Sequence, residues 1–397
     1  MRRVLLLFVG LLALASVAIT SGTTPAQPRS ARVPVIGRAC TPVWRTTPSP
    51  QMGQGTLNAV VTVSSRDAWT VGGVVRLGGM TGGEIVAGTP LIEHWNGARW
   101  SVSPGPNISG VLTDVAATSR RDAWAVGFVP RSEEPLVLHW NGQRWTQVKL
   151  PTTIGAVDAV AAVSSRDVWV VGTSHAGYSD TGEISHWDGR SWTRVVTRRD
   201  TQLADVAALS HDDVWVVGNT AGTDFYKALM LHFDGSAWQT FAQRVTSGND
   251  SAWLLSVGAI SKSDVWAGGG EHMEEMSPPA IGPLMLHWDG GKWSHTSLGA
   301  SGETEFVGLA TVSPNEAWAV SSNSWSYESQ GSFGYGTWHR SGGRWRAAEL
   351  PHGWELYDIA AVRAPGAAPV VWAVGQVGTR IRDYATRTVP LIRRFGC

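Results

Sequence analysis

One ten-residue pattern recurs down this 397-residue chain at a near-constant interval, which commits it to stacking copies of a single small unit. The pattern reads LIEHWNGARW ending at Trp100, LVLHWNGQRW at Trp145, EISHWDGRSW at Trp192, LMLHFDGSAW at Trp238, LMLHWDGGKW at Trp293 and, in a worn copy, GTWHRSGGRW at Trp345. Each copy predicts strand, tight turn, strand. Apolar residues alternate on either side of an Asn-Gly or Asp-Gly pair, and these pairs supply the positive φ angles that a two-residue hairpin needs.

A second piece precedes each copy, seen best in AVSSRDVWVVG ending at Gly172 and ALSHDDVWVVG ending at Gly218. It also predicts strand, turn, strand, and no helical period appears after the first twenty residues. The unit is therefore four short strands with a tryptophan signature, the pattern of a β-propeller blade. The signature tryptophans are Trp69, Trp124, Trp169, Trp215, Trp266, Trp318 and Trp372, which makes seven blades. The hairpin histidines number only six, His94, His139, His186, His232, His287 and His339, each followed six residues later by a tryptophan.

The missing half-hairpin lies at the other end of the chain. Blade seven runs out at PLIRRFGC, with Arg394 in the histidine slot, Phe395 in the aromatic slot and Cys397 in the glycine slot. The stretch ACTPVWRTTPSP matches the outer strand of a blade when Trp44 is set on Trp100. The expected fold is thus all-β: a seven-bladed β-propeller of four-stranded antiparallel blades, closed where the N-terminal strand completes the C-terminal blade. The same alignment brings Cys40 and Cys397 to one hairpin tip and predicts a disulfide between them. An even cysteine count in a secreted chain fits that pairing.

The repeats spend residues 39–397 on one domain. Residues 1–19 have the form of a signal peptide: Met-Arg-Arg, an apolar run from Val4 to about Ile19, and cleavage after Ala18. An uncleaved anchor is the alternative reading of that run. Residues 20–38, rich in Pro, Ser, Thr and Arg, form a flexible leader. The expected product is secreted, with no membrane span after cleavage, and monomeric. A formal net charge of zero offers nothing to attract a nucleic-acid backbone, so nucleic acid is not an expected partner.

What repeats is scaffold. The acid two residues before the signature tryptophan (Asp67, Asp122, Asp167, Asp213, Asp264 and Glu316, with Val370 in blade seven) is expected to cap its own turn by accepting backbone N–H groups. The histidines serve packing and hydrogen bonding at blade edges, and the tryptophans serve packing between blades. Function is sought where the chain varies. The interval from signature tryptophan to hairpin histidine is 25, 15, 17, 17, 21 and 21 residues in blades one to six, and the variation falls between the second and third strands. These joins share one face with the blade-to-blade connections, which makes that face the candidate binding surface.

The non-repeating residues expected there are Tyr178 with His175 and Asp180 in blade three, Tyr226 in blade four and Glu271 in blade five. Blade six adds Trp325, Tyr327 and Tyr335, and blade seven Arg382 and Tyr384. Trp253 and Trp354 stand just before the innermost strands of blades five and seven, near the channel mouth. Exposed aromatics beside carboxylates and arginines suit a sugar or peptide site, and equally suit packing of long joins onto the face. Asp114, Asp205 and Asp358 share one register of the innermost strands and ring the channel entrance; a hard cation there would need more oxygen ligands than can be placed, so no metal and no cofactor is expected.

With these pieces, the repeats resemble those of secreted bacterial β-propellers carrying D-V-W-A-V-G and H-W-D-G motifs, and more distantly kelch and Asp-box propellers, over residues 40–397. The enzymes among such relatives imply features that this chain does not match. Sialidase-like Asp-boxes read S-x-D-x-G-x-T-W where this chain has S-x-x-D-x-W-x-V-G, and no arginine triad can be assigned. The tyrosine–cysteine copper site of kelch oxidases would need a cysteine already committed to closure. No G-x-S-x-G, H-E-x-x-H or phosphate-binding glycine loop stands at a credible site. Two functions remain: a secreted recognition module binding glycan or extracellular protein on the variable face, or a secreted glycan-active enzyme with its site at the channel mouth.

Overall fold

The computed structural model of the chain describes residues 42–396 apart from 52, 79–83, 152–153, 177–178, 221–225, 243–250, 274–279, 297, 299–303, 323–335, 352 and 383–384. The expected signal peptide and leader lie outside these residues. Within them the chain forms seven four-stranded antiparallel sheets. Six of the blades run innermost to outermost in chain order, from Thr56–Ser64 out to Trp100–Val102 in blade one and from Glu305–Ser313 out to Arg344–Glu349 in blade six.

Blade seven is built from both ends of the chain. Trp354–Val362, Val370–Arg382 and Ala385–Gly396 form its inner three strands, and Val43–Thr46 is its outer one, paired Trp44↔Phe395 and Arg45↔Arg394. The innermost strands touch in cyclic order, blade seven against blade one. Just past the closing strand, Ser49 Oγ donates to Glu93 Oε1 of blade one at 2.6 Å, and burial pushes the Glu93 carboxyl up to about 7.

The hydrophobic core is divided into seven clusters, each between two neighbouring blades. At every one, the signature tryptophan meets an outer-strand tryptophan of the next blade edge to face: Trp69–Trp145, Trp124–Trp192, Trp169–Trp238, Trp215–Trp293, Trp266–Trp345, Trp318–Trp44 and Trp372–Trp100, at 5.1–6.0 Å between centroids. The expected inter-blade role of the tryptophans holds at all seven interfaces.

The signature glycine has a packing reason. In six blades (Gly72, Gly127, Gly172, Gly218, Gly269, Gly375) a Cβ would stand 2.0–2.3 Å from a backbone carbonyl of the innermost strand, beside a bulge.

Several local expectations change. The Asn-Gly and Asp-Gly copies are not two-residue hairpins: Trp95 pairs with Trp100, leaving four residues in the loop, and the positive φ falls on glycine alone (94° at Gly97). The Asn or Asp before it caps the turn. Asn96 Oδ1 accepts the N–H groups of Ala98 and Arg99, both at 3.0 Å, and Asp188, Asp234 and Asp289 do the same in their blades. The worn sixth copy is the one that forms the two-residue turn, with Gly342 (59°) and Gly343 (78°) between paired Ser341 and Arg344.

The acids of the D-x-W piece were expected to cap turns and instead bond side chains. His94, His139, His186, His232 and His287 place Nε2 at 2.7–2.9 Å from the acid of their own blade. In blades three, four and five the signature indole also donates to that carboxylate, at 3.0–3.1 Å. Each of these histidines stacks on its signature tryptophan, 3.9–4.3 Å between centroids. Blade seven changes both partners together: with Val370 in place of the acid, Arg394 lies over Trp372 at 5.4 Å instead.

Candidate functional site

The innermost strands begin, and the second strands end, on the face of the variable joins, and their side chains form the channel mouth. Part of the length variation there is strand, not loop. Blade one carries its second and third strands out as Asp67–Gly78 and Glu84–Trp95.

Deeper in the ring lie Asp114, Asp205 and Asp358, in one register as expected; the longer turn before Val370 accounts for the extra residues in blade seven. Asp114 Oδ1 accepts the N–H of Val115 and Oδ2 that of Val160 in blade three, each at 2.7 Å. Asp205 joins Val206 to Val257 of blade five, and Asp358 joins Ile359 to Val60 of blade one, across the closure. These N–H groups sit at the bulges of the innermost strands, so each aspartate satisfies its own bulge and the next. Three aspartates serve six blades in this way. Blade six is left over and has Gly308, where a Cβ would lie 2.9 Å from Asp358 Cα. Burial pushes Asp114 up to about 6; burial with repulsion from Asp114 pushes Asp358 up to about 8, and burial with repulsion from both of these pushes Asp205 well above the carboxylate range. Their oxygens are engaged by backbone, which makes them braces of the ring.

Nearer the rim, the polar side chains do not repeat. His175 Nδ1 pairs with Asp180 Oδ1 at 2.8 Å, Gln202 Nε2 donates to Asp180 Oδ2 at 2.6 Å, and Asn219 Nδ2 donates to Gln202 Oε1 at 3.3 Å. That chain joins blades three and four, beside Asp158, whose carboxyl burial pushes up to about 7 against the opposing field of His175. Trp253 Nε1 donates to the buried Glu305 Oε2 at 2.7 Å, from blade five to blade six. Its ring lies on Gly270, where a Cβ would come within 2.8 Å. In blade seven, Glu355 Oε2 takes the hydroxyl of Tyr357 at 2.5 Å and the amide of Gln376 at 2.7 Å.

The structure gathers three of the expected site residues. Tyr226, 44% exposed, accepts the N–H of Ala252 at 3.0 Å through its backbone carbonyl, Ala252 pairs with Glu271, and Trp253 follows. Glu271 lies 3.7 Å from His295 and raises that imidazole's pKa. Trp253 and Trp354 are inside their strands, paired with Gly270 and Val377, not ahead of them. Trp354 stands apart from the other three, in blade seven, with the Arg393 guanidinium over its ring at 5.3 Å and over Trp44 at 5.5 Å. Tyr178, Trp325, Tyr327, Tyr335, Tyr384, the Arg382 side chain, Cys40 and Cys397 lie outside the described residues. Gln202, Asn219, Glu305, Glu355, Tyr357 and Gln376 join these contacts without belonging to any motif of the sequence. Their signal was available: polar residues at the ends of inner strands, where the other blades carry different residues.

The opposite face carries the repeated acid–histidine pairs. Between blades one and two it opens into a cavity of about 450 Å³ lined by Trp69, His94, Ser103, Arg120, Arg121 and Trp140.

No protein-family model matches the sequence, and a search of curated proteins gave no match. Solved structures do match. A structure of YCF48 bound to D1 peptide shares 15% identity, a TM-score of 0.56, 89% of this chain and 97% of its own. YCF48 from Cyanidioschyzon merolae shares 14%, with a TM-score of 0.55 over 89% and 98%. A subtype N11 neuraminidase-like protein of A/flat-faced bat/Peru/033/2010 (H18N11) shares 10%, with a TM-score of 0.45 over 71% and 86%. At these identities the YCF48 likeness speaks for the fold alone.

Proposed function

We propose that the chain is a secreted recognition module that binds a protein segment across the channel mouth, on the face of the variable joins. One observation carries this reading: the hydrogen-bonded chain His175–Asp180–Gln202–Asn219 spans two blades and follows no repeat, so the scaffold does not account for it. His175, its outer end, is half exposed and can pass the chain on to a ligand's amide or carbonyl. Exposed Tyr226 adds an amphipathic contact in the adjoining patch. A YCF48 structure of similar fold is bound to a D1 peptide, which supports this choice of ligand. A glycan is the second ligand class to test, since Trp253 and Glu271 would also suit a sugar.

The test is to probe peptide and glycan arrays with the mature chain, alongside a turnover screen on polysaccharides. Peptide binding that weakens at least tenfold in Gln202→Ala, with thermal unfolding unchanged, is expected. Binding confined to glycans would replace the ligand class, and polysaccharide turnover would replace the function with the enzymatic alternative. Peptide binding unaltered in both Gln202→Ala and Tyr226→Ala would remove the site.

A further inference from the structure

On the face away from the channel-mouth site, the turn that borders each groove varies from blade to blade, and between blades three and four it carries a histidine. The acid of each blade faces the turn of the next blade. In two other grooves a cation from that turn pairs with the acid's second oxygen: Arg120 Nε lies 3.4 Å from Asp67 Oδ2, and Arg363 bonds Glu316 Oε2. Between blades three and four the same place is held by His211, whose Nδ1 is 3.3 Å from Asp167 Oδ2. His186 Nε2 is 2.8 Å from Asp167 Oδ1, as the repeat dictates. The ligating atoms of Asp167, His186 and His211 all lie within 4.8 Å of one another, the one such trio among the described residues.

We infer that Asp167, His186 and His211 form a binding site for a divalent transition-metal ion of the zinc type. Two imidazoles and a carboxylate are the nitrogen and oxygen donors such ions prefer, and three protein ligands leave a position for water. His186 stands 2.8 Å from Asp167 Oδ1 and His211 3.3 Å from Oδ2, and with one donor from each residue within 4.8 Å of the others, a small movement of exposed His211 brings them to the roughly 3.3 Å between ligands about 2.0 Å from a tetrahedral ion. Asp167 and His186 are largely buried and fixed, the carboxylate by the Trp169 indole at 3.0 Å and the imidazole by its contact with Trp169 at 4.3 Å. His211 is 61% exposed and swings in from the solvent side. On binding, the proton on His186 Nε2 moves to Nδ1, and the ion takes its place between imidazole and carboxylate. An arginine at the His211 position could not act this way, because it stays charged and offers no lone pair. The repeated histidines therefore remain scaffold, and a single substitution in one groove supplies the missing ligand.

The test uses the mature chain without a histidine tag, stripped of metal and titrated with Zn²⁺ and separately with Co²⁺. The expected result is one equivalent bound at micromolar concentration, a visible Co²⁺ absorption typical of a tetrahedral site, and a rise in Tm with Zn²⁺. His211→Arg rebuilds the pairing that Arg120 makes with Asp67, so it should keep the metal-free Tm and bind Zn²⁺ at least tenfold more weakly. Absence of stoichiometric binding in the parent chain, or equal binding in His211→Arg, overturns the site. If His211→Arg does not fold, His211→Gln carries the same two outcomes.

Discussion

The indole of Trp44 meets that of Trp318 edge to face, 5.9 Å between centroids at 88°, so a residue from the start of the ring packs the interface between its sixth and seventh blades. The geometry is that of the six other tryptophan pairs, so the closing strand is held by the same contact as every blade. Trp318 is 2% exposed, whereas Trp44 is only partly buried. Trp318→Ala should therefore cost about 3–5 kcal/mol and Trp44→Ala distinctly less. Denaturant unfolding of the two variants checks the order, and equal losses would mean that the closing strand packs more tightly than its exposure indicates.

The acid–histidine pairs allow a comparison between blades. His232 and His339 stack equally closely on their tryptophans, at 3.9 and 3.8 Å, but His232 is 2.8 Å from buried Asp213 while His339 is 3.5 Å from Glu316. The ring contacts are alike, and His232 is also the more buried of the two, 14% exposed against 34%, so burial and the hydrogen bond act in the same direction. His232→Ala should be the more destabilising of the two by about 1–2 kcal/mol, because it removes one of two partners from a buried carboxylate. Calorimetry on the pair reads this directly.

The braces of the ring set a pH dependence. Asp114, Asp205 and Asp358 have folded pKa values above their unfolded value of 3.8, with Asp114 at about 6 and Asp358 at about 8. Between the unfolded and folded values the folded state holds protons that the unfolded state has released, so stability falls as pH rises from about 4 towards 8. Asp358→Asn should flatten the upper part of that fall while weakening the bridge to Val60. Urea unfolding across pH 4–9 measures the slope, and a wild-type stability that rises over this window would contradict the assignment.

Closure also predicts a covalent lock. Val43, three residues after Cys40 in the sequence, pairs with Gly396, the residue before Cys397. A disulfide between them would stabilise the ring by up to about 6 kcal/mol in the chain-entropy estimate for so long a loop. Non-reducing peptide mass spectrometry should find the cross-linked pair, and Cys40→Ser should lower Tm to that of the reduced chain. Two free thiols would leave the pairing of Trp44 with its neighbours as the whole of the closure.

The sequence by itself determined the ring: the seven blades, the N-terminal strand in blade seven, Arg394 in the histidine slot and the tryptophans between blades. Each of these is written as a period, since a blade is local in the chain and a missing half-hairpin shows as a gap in the count. Turn chemistry is only partly legible in the sequence, because Asn-Gly suits more than one hairpin loop and only the backbone shows that glycine alone takes the positive φ. Tertiary structure alone decided which partner each polar group takes. Asp114 reaches Val160, Asp205 reaches Val257, and Asp358 reaches Val60 at the far end of the chain, none of them at a spacing that a strand pattern encodes. The same holds for Trp253 with Glu305, for Gln202 between Asp180 and Asn219, and for His211 beside Asp167. Periodicity specifies which face of a strand a residue occupies, while a hydrogen bond between blades depends on where two separately folded strands come to rest against each other.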